Sequence, residues 1–211
     1  MSNALLLLGA GGHCESIVDT LLRIDDEREL GIVAPGGDGV LGVPVVGTDD
    51  DLCSLREKGY GEAFVAVGSV GDSSLRVRLF SRLIDLGFEV PSIVDPSALV
   101  SPSSALGRGV FVGKGCVIGP CSTVGDNAIV NTRAVVEHDC WVGRNTHVAP
   151  GAVLCGDVTV GEGCHIGAGA TVIQGVSIGN DTLVGAGGVV VRSVGADEIV
   201  FGCPARSRGG R

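Results

Sequence analysis

From Val94 to Val190 an aliphatic residue recurs every six positions without a slip, through Val100, Leu106, Val112, Ile118 and onward to Val184 and Val190. The fourth residue after each is usually small, as at Cys116, Ser122, Ala128, Ala134, Cys140 and Thr146, and the residue immediately after is often Gly. A period of six fits neither the 3.6 of a helix nor the 2.0 of a plain strand. It fits a parallel β-helix built from fixed repeats. Each hexapeptide predicts a short strand and a tight bend, and three close a triangular coil. The aliphatic points into the prism, the small residue fits near the corner, and the Gly is expected to supply bends that a Cβ would obstruct. A Gly-rich all-β sandwich is disfavoured, because its strands come at irregular spacings of roughly 8–12 residues.

Ahead of the prism the pattern changes. Ala4–Leu8 predicts a buried parallel strand. Gly9-Ala10-Gly11-Gly12-His13 follows, and then Cys14, Ile17, Val18, Leu21 and Leu22 fall at helical spacing. Further strands are expected at Leu30–Ala34 and Ala63–Val67, with a short apolar segment at Val43–Val46. A helix capped by Thr48 runs through Leu52 and Leu55 to Gly59, and another carries Leu75, Leu79, Leu83 and Leu86 up to Gly87. Residues 1–93 thus read as a small Rossmann-like α/β domain, 94–191 as the β-helix and 192–211 as a tail. Beyond Val190 the period stops, and the closing Ser207–Arg211 is expected to be mobile.

Charge and cysteines narrow the function. The 211 residues carry a formal net charge of −9, which disfavours nucleic-acid and anionic-membrane partners, since both require basic surface. No apolar run approaches membrane-spanning length, and Met1-Ser2-Asn3 offers no basic leader region. A cytoplasmic setting is expected. Of the eight cysteines, Cys116, Cys140 and Cys164 sit at the small-residue place of the repeat, so they read as reduced core residues rather than disulfide partners. No CxxC pair suggests zinc.

The most polar interruption of the prism is Asn131 to Cys140, with Glu137-His138-Asp139 at its centre. His138 lies two residues after core Val136 and should point outward. A carboxylate bonded to one imidazole nitrogen raises the basicity of the other, as a general base needs. For the isolated triplet, a solvated surface histidine beside surface acids is the favoured reading. His147 and His165, one coil apart, should stack on one face; with His138 they do not make a convincing three-histidine metal site. The glycine-rich loop after the first strand suits a phosphate at a helix N-terminus. Tight strand-to-helix turning explains its glycines too, and Cys14 stands where a dinucleotide fingerprint would have its third Gly.

In combination these features resemble the PglD/NeuD-type bacterial sugar acetyltransferases: Gly9-Ala10-Gly11-Gly12-His13, then hexapeptides with Asn131-Thr132 and Glu137-His138-Asp139-Cys140, then Gly202-Cys203-Pro204-Ala205. The resemblance covers nearly the whole chain. It implies an α/β nucleotide-sugar domain, a left-handed parallel β-helix, and a homotrimer with active sites between subunits. It implies an acetyl-CoA-dependent N-acetyltransferase, without metal, acting on a UDP-4-amino-4,6-dideoxy type of sugar. By position, the base falls on His138 and its supporting acid on Asp139. Contacts to acetyl-CoA fall on His147, Ala168 and Ala186, an active-site Asn on Asn131, and nucleotide-sugar contacts on Gly11, Gly12, His13 and Gly68. Ala34-Pro35 stands where the family often has two aspartates. Sugar O-acetylation, a non-enzymatic trimeric scaffold and a zinc hydro-lyase are the alternatives, in that order.

Overall fold

A computed structural model describes residues 4–24 and 26–210. Met1–Asn3, with the uncharged start noted above, and Arg211, the end of the tail, lie outside the described residues. The chain divides into two compact units, Met1–Ile93 and Val94–Arg211.

The first unit is a four-stranded parallel sheet with helices. Its elements are β1 (Ala4–Leu8), α1 (Gly12–Arg23), β2 (Glu29–Val33), β3 (Val45–Gly47), α2 (Leu52–Glu57), β4 (Glu62–Val65) and α3 (Ser74–Asp85). The strand order is β3-β2-β1-β4. Because β1 is central, Leu5 to Leu8 are all fully buried, which is why the strand reads as an unbroken apolar run instead of an alternating one. In α1, Cys14, Ile17, Val18 and Leu21 form the buried stripe. The Asp51 carboxylate accepts the Thr48 backbone N–H at 2.8 Å at the entry to α2. In α3, Leu79 and Leu83 are buried, but Leu75 is 42 % exposed. The expected apolar stripe is therefore shorter, and the Arg76 side chain is buried in the same helix.

The second unit is a three-faced prism of two-residue parallel strands. The first face runs from Ile93–Val94 through Phe111–Val112, Ile129–Val130, His147–Val148 and His165–Ile166 to Leu183–Val184. The second runs from Leu99–Val100 to Val189–Val190, and the third from Ala105–Leu106 to Ser177–Ile178. Partners are always one coil apart, as Val136 is from Leu154 and Val148 from Ile166. The second residue of each strand lines the interior, and from Val112 to Val190 all of these are buried.

The bends work differently from the expectation. The residue that turns the corner is the third after the aliphatic. From Gly109 to Gly187 it always has positive φ, at glycines such as Gly151, at Asn127, Asp139 and Asp157, and also at Cys121 and Arg133. Asn and Asp tolerate this left-handed conformation better than other side chains do. The Gly directly after the aliphatic serves close coil stacking instead. A Cβ on Gly143 would lie 2.5 Å from backbone atoms of Gly161 in the next coil.

The small residues also do more than fit. Ser122 Oγ donates to the Glu137 carbonyl at 2.6 Å, Thr146 Oγ1 to Gly161 at 2.7 Å and Cys140 Sγ to Cys155 at 3.2 Å. Hydroxyls and thiols at this place bond one coil to the next, which explains why Ser, Thr and Cys share it with Ala. Burial pushes the Cys116 thiol up to about 11, so it stays protonated.

The tail is ordered, contrary to expectation. Sixteen residues, not eighteen, separate Ile178 from Val194 and Val184 from Val200, yet both pairs are in register. The shortened coil hid the continuation of the pattern. Arg206–Gly210 then pairs antiparallel with Glu198–Phe201. A prism ending at Val190 would expose unpaired strand edges; this hairpin covers the first face's edge.

The interior is close-packed, so deletion of a central side chain is expected to be costly. Leu154→Ala should lose about 2–5 kcal/mol in urea unfolding, because Leu154 is fully buried in the middle of the second face.

Candidate active site

In the first unit the chain runs outward from β1 to β2 and β3, then returns to place β4 on the other side of β1. The strand order therefore reverses between β1 and β4. In open parallel sheets ligands bind at the carboxyl ends of the strands flanking such a point. Gly11, Gly12 and His13 follow β1, and Gly68 follows β4. The structure brings them together: a Cβ on Gly68 would lie 3.3 Å from His13 Cβ. The glycines of the loop separate into two kinds. Gly9 has φ +116° and its Cβ would meet Val67 at 2.8 Å, so the fold itself requires it. Gly11 and Gly12 have no positive φ, and a Cβ on either would meet nothing within 4 Å. Turning and packing do not explain these two. What they leave is open, exposed backbone at the N-terminus of a twelve-residue helix, which favours an anion. Ala34, at the end of β2, is buried and donates its N–H to the Gly47 carbonyl at 3.0 Å.

In the second unit His138 stands on the corner between the second and third faces. Its Nδ1 is 2.8 Å from Asp139 Oδ2. A carboxylate accepts only, so Nδ1 carries the hydrogen and Nε2 presents the lone pair. The left-handed backbone of Asp139, φ +59°, turns adjacent side chains toward each other on an exposed corner. The imidazole pKa is raised above its ordinary 6.5, chiefly by the Asp139 hydrogen bond, against a smaller desolvation effect, with further help from the charges of Asp139, Glu137 and Asp157. Asp157, one coil beyond Asp139, escaped the sequence reading, although the eighteen-residue coil places it there.

Asn131 and His147 form a second cluster. Asn131 Oδ1 accepts the Thr132 N–H at 2.8 Å, which fixes the amide and leaves Nδ2 facing His147 Nε2 at 3.0 Å. With the amide donating, Nε2 is the acceptor and the ring's proton lies on Nδ1. His147 is 7 % exposed, and the His165 ring packs edge-on against it with centroids 5.0 Å apart. Ala168 and Ala186 are exposed on the same corner as Asn131, between the first and second faces.

The sequence-derived prism residues thus fall into two groups. Asn131, Ala168 and Ala186 share one edge, beside His147 on the first face; His138 and Asp139 occupy the next edge, across the second face. Among the described residues no group of three or more His, Cys, Asp or Glu is placed to hold a metal ion. No helix among them is long and apolar enough to cross a membrane.

Residues 4–83 match the PglD N-terminal domain, and residues 121–156 and 139–174 match the bacterial transferase hexapeptide (six repeats). PerB from Caulobacter crescentus, solved with CoA and GDP-perosamine, is 44 % identical with a TM-score of 0.92, covering 98 % of this chain and 97 % of that one. The acetyltransferase domain of PglB from Neisseria gonorrhoeae is 33 % identical with a TM-score of 0.92, covering 98 % and 100 %. WeeI from Acinetobacter baumannii, at 24 % identity and a TM-score of 0.81 over 97 % and 99 %, shares the fold. No curated protein sequence matches the chain. Fold and repeats together define an α/β domain followed by the left-handed β-helix of hexapeptide transferases. Within that class the chain belongs to the PglD-type sugar acetyltransferases.

Proposed function

We propose that this protein transfers the acetyl group of acetyl-CoA to the amino group of a nucleotide-linked amino sugar. The observation that carries the reading is the His138–Asp139 pair, 2.8 Å apart on an exposed prism corner, in a chain 44 % identical over 98 % of its length to a protein solved with CoA and GDP-perosamine. The sugar nitrogen attacks the thioester carbonyl carbon, forming the C–N bond. Nε2 of His138 takes the proton from nitrogen, and the C–S bond then breaks. The imidazolium returns the proton to the leaving thiolate. Asp139 holds the tautomer and stabilises the imidazolium. No covalent enzyme intermediate is needed, and the core thiols of Cys116, Cys140 and Cys164 bond to backbone carbonyls.

In this reading acetyl-CoA runs along the edge carrying Ala168 and Ala186, with its thioester end at the Asn131–His147 cluster. The nucleotide diphosphate sits on the Gly11–Gly12 backbone beside His13 and Gly68. Ala34-Pro35 offers no carboxylate to a ribose. A GDP-linked sugar, as in the PerB complex, is the first acceptor to test, ahead of the UDP-linked sugar that the family resemblance implies. A homotrimer of parallel prisms would unite the two groups of prism residues by setting one edge of each subunit against the next edge of its neighbour. None of the eight cysteines is in a disulfide, which is compatible with the thiol-reducing, cytoplasmic setting of this reading.

The test is CoA release from acetyl-CoA with GDP-perosamine and with a UDP-4-amino-4,6-dideoxy sugar. Rapid release with either supports the reading. Release with neither, alongside acetylation of a hydroxyl acceptor, overturns it.

The pH dependence is fixed in sign. A general base works when neutral, so the acidic limb of kcat/KM should lie above 6.5. Asp139→Asn removes the largest raising influence, so the limb should move to lower pH while the plateau rate falls. An unmoved limb would separate Asp139 from the base. The raised value also makes the pair's contribution to stability greatest below about 6.5, and that contribution is lost as pH rises through the folded-state value.

A further inference from the structure

Gly156 lies one coil beyond His138, at the same place in its turn. In this column the prism carries Pro102, Pro120, His138, Gly156, Gln174 and Arg192. At the equivalent place of every other hexapeptide from Val94 to Val190 the residue has a side chain; Gly156 alone does not. The backbone gives no reason for the exception, since Gly156 has no positive φ. The turn accepts a Cβ, as Ala168 and Ala186 show at the same place. Coil stacking gives no reason either. The atoms nearest to a Cβ built on Gly156 are all from one imidazole: His138 Nε2 at 2.4 Å, Cε1 at 2.5 Å and Cδ2 at 3.1 Å. A separation below 3.0 Å forces one partner to move, and the freer partner is the exposed histidine ring.

We infer that Gly156 is a positioning residue for the proposed acetyl transfer, its bare Cα being the seat on which the His138 imidazole rests with Nε2 aimed at the acceptor amine. The inference rests on the reading of His138 as the base. The ring is held at two points. Asp139 Oδ2 accepts from Nδ1, and the floor under the Nε2–Cε1 edge is the next coil. Any side chain at 156 takes the space of the reacting nitrogen's edge and turns the ring away from both the substrate and Asp139. The groups bearing charge on this imidazole are Glu137, Asp139 and Asp157, and none is altered by a substitution at Gly156.

The test is Gly156→Ala, alone and combined with His138→Ala. The single variant should keep the unfolding midpoint and the KM for acetyl-CoA while kcat falls on the order of a hundredfold, the usual cost of misplacing a reacting group by about 1 Å. In the His138→Ala background the same change should cost nothing further, because Gly156 acts through the imidazole. NMR titration of the histidines, with His138 assigned by its loss in His138→Ala, gives a readout independent of turnover: the His138 pKa should fall toward 6.5 in Gly156→Ala as the Asp139 bond is lost. An unchanged His138 titration together with unchanged kcat would overturn the seat. Equal losses in the presence and absence of His138 would overturn it too, by showing that Gly156 acts elsewhere. If His138→Ala itself keeps full turnover, the assignment of the base fails, and the titration still decides whether the ring sits on Gly156.

Discussion

Replacing His138 by alanine is expected to lower kcat by roughly 10²- to 10⁴-fold, the range that a positioned general base supplies. The KM for acetyl-CoA should change little, because the edge assigned to the coenzyme is a different one. At a pH above the raised folded-state pKa, where the pair no longer adds stability, the protein should unfold at the same temperature. The imidazole is exposed on a corner, its hydrogen bond is to an exposed neighbour, and no core side chain rests on it. Steady-state CoA release with the amino-sugar acceptor, beside a thermal melt of the same sample, checks both halves. Loss of turnover with an unchanged melt identifies chemistry, whereas loss of both would point to a structural role. Retention of more than about a tenth of wild-type kcat would fall short of what a base contributes and would sink the assignment.

The prism was legible because its interior is one-dimensional. A stacked coil asks the same question of every sixth residue, so Val, Ile and Leu answer in a fixed register that needs no structure to see. The bends were less legible. Gly often follows the aliphatic, but that Gly answers to the neighbouring coil, and the conformational demand lies two residues further on, met by Gly, Asn and Asp and also by Cys121 and Arg133. The last coil was missed because two residues are deleted from it. A strict period cannot detect Val194 and Val200, although both line the same core. In the first unit, the unbroken Leu5–Leu8 run and the Cys14–Leu21 stripe located the central strand and its helix. Sequence could not separate Gly9, required by the turn, from Gly11 and Gly12, required by nothing in the protein. That distinction appears only when the space around each is known.

At the prism's candidate site, the Glu137-His138-Asp139 triplet was visible as adjacent letters, and its geometry followed from the turn. Asp157 and Gly156 were invisible for the opposite reason. They are eighteen residues from their partners, and their meaning comes from stacking. The eighteen-residue column is thus the natural unit for reading this class of sequence. Read down a column, His138 over Gly156 and Asp139 over Asp157 are neighbours, as are His147 and His165. Of these, the His147–His165 stack is the pair that the sequence reading already expects.

The separation of the prism residues onto two edges leads to the second large effect. If subunits of a parallel trimer set one edge against the next, each active site takes His138 from one protomer and Asn131 with His147 from its neighbour. His138→Ala and His147→Ala should then each be nearly inactive alone. Mixed subunits behave differently. When the two variants are unfolded together in equal amounts and refolded, a given site draws an intact His138 half the time and an intact His147 half the time. In a ring of heterologous contacts about a quarter of the sites are therefore rebuilt. Activity near a quarter of wild type, rising from two inactive parents, would place the site across the interface. If both residues of a site come from one chain, no mixing ratio restores anything. Analytical ultracentrifugation of the mixture fixes the oligomer, and assay across mixing ratios should trace the product of the two fractions, with its maximum at equal amounts.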